Sequence, residues 1–285
     1  LVGLGWCVDQ LEARFNRNGQ GGIVAGALAL VLLLIPFLGV SLLLSFLPAI
    51  PWMIVSTVVL WLCIGHRSLA EHGMAVYQPL VSGDLTGARE RVGMMVSRDT
   101  RELDETGIAT ATTESLLENG ADAVFASLFW FLVAGLPGLL LHRVVNTLDA
   151  MWGYRSERFN RFGRVAARLD DVLNWIPARL TALGYALAGQ TRVALRCWKT
   201  QSRGWESPNA GPVMAAGAGA LGVRLGGGAS YHEGWRERPA LGEGKAATAE
   251  TILRAVSLIR RSLVLWLAAA VVIMVVVESL GRGML

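Results

Sequence analysis

The sequence predicts an all-α, polytopic integral membrane protein, and three observations carry that prediction. Of its 285 residues, 53% are hydrophobic and only 17% are charged, against about 25% charged in an ordinary soluble domain. The apolar residues are gathered into blocks without a single charge, above all residues 23–47 and 263–277. No stretch alternates apolar and polar residues with period two for long, so no sheet is expected.

The first block holds 25 uncharged residues, which at about 1.5 Å rise exceed a hydrocarbon core of roughly 30 Å. Pro36 kinks such a helix without ending it when neighbours satisfy the freed backbone groups. Pro48 and Pro51 break the chain, and the 13 apolar residues 52–64 that follow are short for a span alone. They are plausible as the second limb of a transmembrane hairpin over 23–64. Residues 66–121 are polar and helical in pattern. Ser82-Gly83-Asp84 makes a turn, after which Leu85, Ala88, Val92 and Met95 recur at helical spacing.

A third apolar block, residues 123–141, is interrupted by Gly135-Leu136-Pro137-Gly138, which disrupts a helix. Residues 142–205 are the most charged, with a short apolar interval at 176–188 that reads as buried or interfacial. Residues 211–228 are built of Gly, Ala and Val, residues 231–245 read as loop, and 248–261 as helix. The last block forms a C-terminal transmembrane helix over 263–278. The whole is expected to be one membrane-embedded domain over 1–285, its polar motifs lying within 66–262.

The net charge is +4, and Lys199 and Lys245 are the only lysines. The arginines are scattered, without the dense basic run that a nucleic-acid backbone rewards, so nucleic acid is not an expected partner. Cys7, Cys63 and Cys197 are isolated and odd in number, which excludes a disulfide framework. The four histidines lack ligand spacing, so zinc is not proposed. No secretory signal precedes the first block, and the start reads as trimmed.

Five polar clusters remain, each costly near a membrane. In Ser97-Arg98-Asp99-Thr100, Asp99 or Thr100 also suits the N-cap of the helix that follows. Glu114 and Glu118 stand at i, i+4, so both carboxylates share a face and a cation would relieve their repulsion. Asn146 and Asp149, after His142-Arg143, offer oxygen ligands that suit Mg²⁺. Arg168-Leu169-Asp170-Asp171 precedes Asn174-Trp175-Ile176-Pro177-Ala178-Arg179. Glu206-Ser207-Pro208-Asn209-Ala210-Gly211-Pro212 opens onto the Gly/Ala stretch. Within that stretch Gly217-Ala218-Gly219-Ala220-Leu221-Gly222 matches a dinucleotide fingerprint only literally, since no strand precedes it. Close helix packing through small residues is the expected reading.

Taken in order, these motifs resemble the adenosylcobinamide-phosphate synthase family. The match runs through Arg98-Asp99-Thr100, Glu114, Glu118-Asn119, Asp122, Leu128-Phe129-Trp130, Asn146-Thr147-Leu148-Asp149, Met151 and Gly153-Tyr154. It continues through Arg168-Leu169-Asp170-Asp171, Asn174 to Arg179, Ser207 to Gly211, Ala220 to Gly227, Tyr231, Pro239 and Gly242. The family usually has Gly at Ser97, Thr at Gly120 and Gly at Ala123. It also usually opens with a Gly-Asp-Pro…His-Pro stretch that is missing here.

The resemblance implies condensation of adenosylcobyric acid with aminopropanol phosphate or ethanolamine phosphate, driven by ATP and Mg²⁺. It implies a multi-pass protein of the bacterial cytoplasmic membrane with its active site facing the cytoplasm. An oligomer, and association with other late-pathway membrane enzymes, are compatible with it. An amide formed from a carboxylate requires activation, as an acyl phosphate, before the amine attacks. Glu118, Asp122, Asp149, Asp170 and Asp171 are then the candidate catalytic groups, with Asp149, Asp170 and Asp171 as metal ligands. Arg98, Arg155 and Arg168 are candidates for phosphate or corrin side-chain contacts. Asp99, Thr100, Asn146, Tyr154, Asn174, Ser207 and Asn209 complete the substrate-binding set. The rival readings are a non-catalytic signalling relative of the β-lactamase-induction type and a transporter. Retention of the polar motifs speaks against the first and the small number of apolar blocks against the second.

The polar motifs flank residues 123–141, so a simple crossing would put them on opposite faces of the membrane. A broken or re-entrant segment at 135–138 is expected instead. Cysteines placed at Arg98 and Asp170 should both react with an impermeant thiol reagent applied from one side. Labelling from opposite sides would refute the re-entrant segment.

Overall fold

The computed structural model describes residues 2–154, 156–231 and 234–283. Arg155, among the predicted substrate contacts, lies outside the described residues. The chain divides into two compact units, one of Leu1–Gly65 and Asp122–Pro177, the other of His66–Ala121 and Ala178–Leu285. Helices dominate both, in agreement with the all-α prediction.

The first unit is built from α1 (Val2–Phe15), α2 (Ile23–Leu44), α3 (Ala49–Cys63), α7 (Ser127–Trp152) and the start of α8 (Arg164–Ala188). Pro36 is accommodated inside α2, and α3 follows after a four-residue break that ends in Pro48. The core is a seam of Leu30, Leu33 and Leu34 on α2 against Val144, Val145, Leu148 and Trp152 on α7, closed by Phe162. Gly26 lets α2 reach it, because a Cβ there would stand 1.9 Å from the Phe162 carbonyl oxygen. Glu12 on α1 pairs with Arg158 at 2.7 Å and accepts from Asn16 Nδ2 at 2.9 Å. These bonds tie α1 to the turn before α8.

The outward faces of α2 and α3 are bare hydrocarbon: Leu28, Val31 and Ile35 on one, Ile54, Trp61 and Leu62 on the other. Water would penalise each of these side chains by roughly 1.5–3 kcal/mol relative to burial, so the bilayer is their solvent. Among the described residues four helical stretches are long and apolar enough to cross a membrane by length and composition. The third of them, Glu105–Trp152, contains the break in α7, and none of the apolar window in the last is buried by protein.

α7 is preceded by a π-helical turn, Ala121–Ala126, and is broken in its middle. Ala134 (φ −136°, ψ 15°) and Gly135 (φ 61°, ψ −148°) leave helical space, and Gly135 occupies a region essentially confined to glycine. In a straight helix residues 130 and 138 would be about 12 Å apart. Here a Cβ on Gly138 would lie 2.5 Å from the carbonyl oxygen of Trp130. The chain therefore turns back on itself at Gly135, the position that sequence reading marked as disrupted.

The second unit contains α4 (His66–Val81), α5 (Leu85–Gly93), α6 (Glu105–Gly120), the end of α8, α9 (Thr191–Gln201), α10 (Ala210–Leu221) and α11 (Ala249–Gly283). Asp84 caps α5, accepting from Gly87 N at 2.9 Å, and Asp104 caps α6, accepting from Gly107 N at 2.7 Å. The expectation that Asp99 or Thr100 caps the following helix is thereby corrected. Asp99 instead accepts from the backbone and guanidinium of Arg101, and Thr100 Oγ1 donates to the Arg89 carbonyl at 3.1 Å. Helix α6 starts only at Glu105, because Asp104 is the acid that can reach the first free N–H groups.

Every residue of α10 is buried. Its small side chains allow this: a Cβ on Gly217 would meet Leu117 Cδ1 at 2.7 Å, and one on Gly219 would meet the Ala194 backbone at 2.8 Å. The Gly/Ala stretch is a packing helix, as expected, and ends at Gly222 in a left-handed cap (φ 65°). The apolar interval of α8 buries Ala178, Ala182, Tyr185 and Ala186 while exposing Ile176, Leu180, Leu183 and Leu187, an interfacial pattern.

The segment read as loop contains short strands. β1 (Val223–Gly226) pairs antiparallel with β4 (Ala240–Leu241) and parallel with β5 (Lys245–Ala246); β2 (Ala229–Tyr231) and β3 (Gly234–Arg236) form a separate antiparallel pair. Strands of two to four residues are too short to display an alternation.

The fold-back at Gly135 can be tested by thermal unfolding in detergent, followed by tryptophan fluorescence. Gly135→Ala should lose roughly 1–3 kcal/mol, the cost of an L-residue held in that region, and Gly138→Val should also be destabilised. Gly39→Ala, with nothing within 4 Å of the added Cβ, should not.

Candidate functional site

Helix α6 carries Glu114, Ser115, Glu118 and Asn119 on one side, and in the second unit these line a cavity of about 350 Å³. Its other walls are the segment after α5 (Met95 to Arg98), the approach to α10 (Gly204 to Ser207), and Tyr231 with Arg236 to Pro239 around and after β3. Glu114 is at the centre of the charge arrangement. Its Oε2 accepts from Arg98 Nη2 and from Arg238 Nη2 at 3.2 Å, and its Oε1 accepts from the Gly226 N–H at 2.7 Å. The three side chains are almost fully buried, at 3% exposure for Glu114, 9% for Arg98 and 14% for Arg238.

Further bonds hold the arginines in place. Arg238 Nε donates to the Gly227 carbonyl at 3.0 Å, and its guanidinium lies over the Trp205 ring at 5.2 Å. Asp99 N donates to Ser230 O at 3.0 Å, which fixes the loop carrying Arg98 to strand β2. Ser115 Oγ donates to the Met95 carbonyl at 3.1 Å and Asn119 Nδ2 to the Ser115 carbonyl at 2.9 Å. Ser207 Oγ accepts from the N–H groups of Asn209 and Ala210, nucleating α10, while Asn209 Oδ1 accepts from Arg179 at 2.7 Å. Glu118 makes no hydrogen bond or ion pair among the described residues, although Glu114, Arg98 and Arg238 all act on it through space. Two arginines against one bonded carboxylate leave a surplus positive charge beside an unbonded carboxylate.

A second polar cluster lies in the first unit. Asp170 Oδ2 accepts from Asn174 Nδ2 at 2.9 Å and Asp170 Oδ1 from Asn146 Nδ2 at 3.3 Å. With its amide N–H spent on Asp170, Asn174 turns its Oδ1 to His142 Nε2 at 2.9 Å. This makes Nε2 the protonated ring nitrogen. Burial raises the Asp170 pKa to about 6, and the neighbouring Asp171 charge adds to the rise, while the two amide bonds oppose it. The ionised form therefore costs the fold, and stability is lost as pH rises through that value.

Of the predicted site residues, the structure thus brings Arg98, Glu118 and Ser207 to one cavity, and Asn146, Asp170 and Asn174 to one hydrogen-bonded cluster. Asp99, Thr100 and Asn209 have local backbone or side-chain partners beside the cavity. In the first unit Asp122 sits on the π-helical turn, Asp149 and Asp171 are half-buried, and Arg168 and Tyr154 are exposed. Among the described residues no three His, Cys, Asp or Glu side chains are gathered for a metal ion. Sequence reasoning missed Arg236, Arg238 and Trp205, and it named His142 without a role. It read Glu114 as half of a carboxylate pair with Glu118 that a cation would relieve, the cations being Arg98 and Arg238. The Arg236-Glu237-Arg238 run was the available signal, but it sits in a segment without periodicity.

The family model described as CobD/Cbib protein matches residues 1–259. A curated protein of Chromobacterium violaceum named cobalamin biosynthesis protein CobD is 57% identical over 283 residues, covering 96% of this chain and 90% of that one. The proteins of the same name from Stutzerimonas stutzeri (56% over 268 residues, 94% and 88% covered) and Mycobacterium tuberculosis (40% over 264 residues, 90% and 83% covered) are also similar. No solved structure matches the chain.

Removing the central carboxylate should be severe. Glu114→Ala strands two buried guanidinium groups, and loss of one partner of a buried ion pair costs about 3–5 kcal/mol. A thermal midpoint unchanged from the wild type would contradict this role.

Proposed function

Because the chain belongs to the CobD/Cbib family, we propose that it acts in cobalamin biosynthesis as an amide-forming enzyme. In this reading it joins the carboxylate of adenosylcobyric acid to aminopropanol phosphate or ethanolamine phosphate at the expense of ATP. The observation that carries the chemistry is the cavity lined by Arg98 and Arg238, both paired to Glu114, and by the unbonded Glu118. Amide formation from these substrates needs cationic groups for phosphate oxygens and a carboxylate for the proton that the amine must lose, and both are present there.

When bound, ATP with Mg²⁺ supplies the activation of the carboxylate. Mg²⁺ needs only one or two carboxylates when phosphate oxygens and waters complete its shell. Asp170 suits that task, because each of its oxygens takes a single amide N–H and keeps a lone pair. Asp170 would hold the ion as that single carboxylate, because the predicted trio of Asp149, Asp170 and Asp171 is not gathered into one group among the described residues. Asn146 and Asn174 fix the angle of the Asp170 carboxylate. Arg98 and Arg238 would hold phosphate, and Glu118 would accept the amine proton. The remaining predicted contacts, Arg155, Arg168 and Tyr154 among them, would serve the corrinoid.

Arginine placement supports a cytoplasmic face for these motifs. The turn between α2 and α3 has no charge, whereas Arg14 and Arg17 precede α2, and Arg67, Arg89 and Arg91 follow α3, as expected when the flanks are inside. The signalling reading is set aside, since the ion-paired motifs that it would dispense with are intact.

The assay is ATP-dependent product formation from adenosylcobyric acid and each amine phosphate with Mg²⁺, using purified protein. Wild type should form product. Asp170→Asn should lose nearly all activity while staying folded, the loss of the burial penalty on the ionised carboxylate offsetting the one asparagine bond that its amide NH₂ cannot accept. Full activity in Asp170→Asn would remove Asp170 from the mechanism, and a wild type inactive with every amine would sink the synthase reading.

A further inference from the structure

We propose that the cavity beside α6 is the subsite for the phosphorylated amine. Its phosphate would lie against Arg98 and Arg238 and its ammonium against Glu118, with the corrinoid remaining outside. This rests on the synthase reading and adds where one substrate binds.

Size is the first argument. An amino-alcohol phosphate has about nine non-hydrogen atoms, and even at one water's share of about 30 Å³ per atom it needs under about 300 Å³. The cavity offers about 350 Å³. A corrin ring with its amide arms and nucleoside is several times larger than this volume, so the amine phosphate fits within the cavity and the corrinoid does not.

Charge is the second argument. The lining carries three arginines and four glutamates, so the cavity as a whole is close to neutral but polarised. That pattern suits a small zwitterion better than a nucleoside triphosphate, whose several negative charges would meet the glutamates. At the positive pole, Glu114 consumes one N–H of Arg98 and one edge of Arg238. Further donors of Arg98 remain, on a side chain that is buried and cannot swing away. Trp205 covers one face of the Arg238 guanidinium. Planar forks held this way are suited to phosphate oxygens.

Glu118 supplies the negative pole. It lines the cavity one helical turn from Glu114 and has no hydrogen bond or ion pair of its own among the described residues. Two carboxylates at this spacing repel each other, and a ligand ammonium at Glu118 relieves that repulsion. The same placement serves the reaction. One proton passes from the R–NH₃⁺ nitrogen to a Glu118 carboxylate oxygen, giving R–NH₂ and a neutral Glu118 carboxyl. The nitrogen lone pair freed in this step is then available to attack the activated carboxylate carbon.

The test is steady-state kinetics on the full chain in detergent, varying the amine phosphate, the corrinoid and ATP in turn. Equilibrium dialysis of ethanolamine phosphate and aminopropanol phosphate alone accompanies it. Glu118→Gln is close to isosteric and breaks no bond of the fold, so a folded variant is expected. Its KM for the amine phosphate should rise at least tenfold and its kcat fall, with the KM for the corrinoid unchanged. Arg98→Lys should raise the same KM and narrow the preference for the phosphorylated over the free amine. An amine KM unmoved in Glu118→Gln, or a rise that falls on the corrinoid or ATP, overturns the subsite while leaving the synthase reading intact. If the wild type makes no product, dialysis decides separately. Amine phosphate binding that Glu118→Gln weakens supports the subsite, and its absence from the wild type refutes it.

Discussion

A carboxylate taken out of water must be compensated where it lies, and Glu114 meets that condition with two guanidinium groups and a backbone N–H. Its three partners come from three separate pieces of chain: the loop after α5, strand β1, and the segment after β3. Glu114 ties all three to α6, alongside the Ser115 bond to the Met95 carbonyl and the Asp99 N–H bond to the Ser230 carbonyl. The segments after α5 and β3 are irregular, and the strands are too short to hold together by ladder bonds alone. In the second unit the ion cluster adds to the apolar packing of α10 against Leu117 and Ala194, and it fixes the pieces of chain that the apolar packing does not order. It also imposes asymmetry, because one bonded carboxylate against two arginines leaves a positive charge that only a ligand or a neighbouring acid can balance.

The bilayer imposes the other constraint. A chain surrounded by hydrocarbon must satisfy its backbone within helices, so a reversal at depth is tolerated only where protein covers it. At the break the second arm of α7 packs directly on the first, with Gly138 against the Trp130 carbonyl, while Leu132, Val133 and Ala134 at the turn stay exposed. Trp130 is itself anchored, its indole N–H donating to the Leu173 carbonyl at 3.0 Å. The glycine supplies the conformation, the small residue permits the approach, and the tryptophan fixes the arm. Together these explain why one apolar block contains a Gly-Leu-Pro-Gly run that a simple spanning helix would avoid.

Most of the helices were legible in the sequence because uncharged runs and helical spacing are local properties. The Gly135 break was legible for the same reason. The packing role of α10 followed from the absence of a preceding strand, and Leu117 and Ala194 against its glycines bear it out. The site was legible only in part. Arg98 and Glu118 stand in recognisable motifs, but Arg238 acquires its meaning from Glu114, 124 positions away, and no local pattern encodes that pairing. The cap of α6 was assigned to Asp99 or Thr100 because they are good capping types. Asp104 is equally good and lies where the helix begins, a matter of register that composition cannot settle. Division into two units was hidden because each is assembled from separated stretches of chain.

Two kinds of buried acid are present, and their surroundings separate their tasks. Asp170 is held by two amides, and one of these is held in turn by His142. Such a chain fixes direction: every donor has one acceptor, and the carboxylate is oriented before any ligand arrives. Glu114 is likewise fully engaged, so its charge is spent on the fold. Glu118 alone of the three has no bonding partner among the described residues, and it faces a cavity that holds surplus guanidinium donors. A carboxylate in that state is poorly stabilised until a cation arrives, and its energy falls when one does. Substrate binding is then favoured by the same imbalance that Glu114 creates, so the interaction that builds the unit also sets the polarity of its cavity.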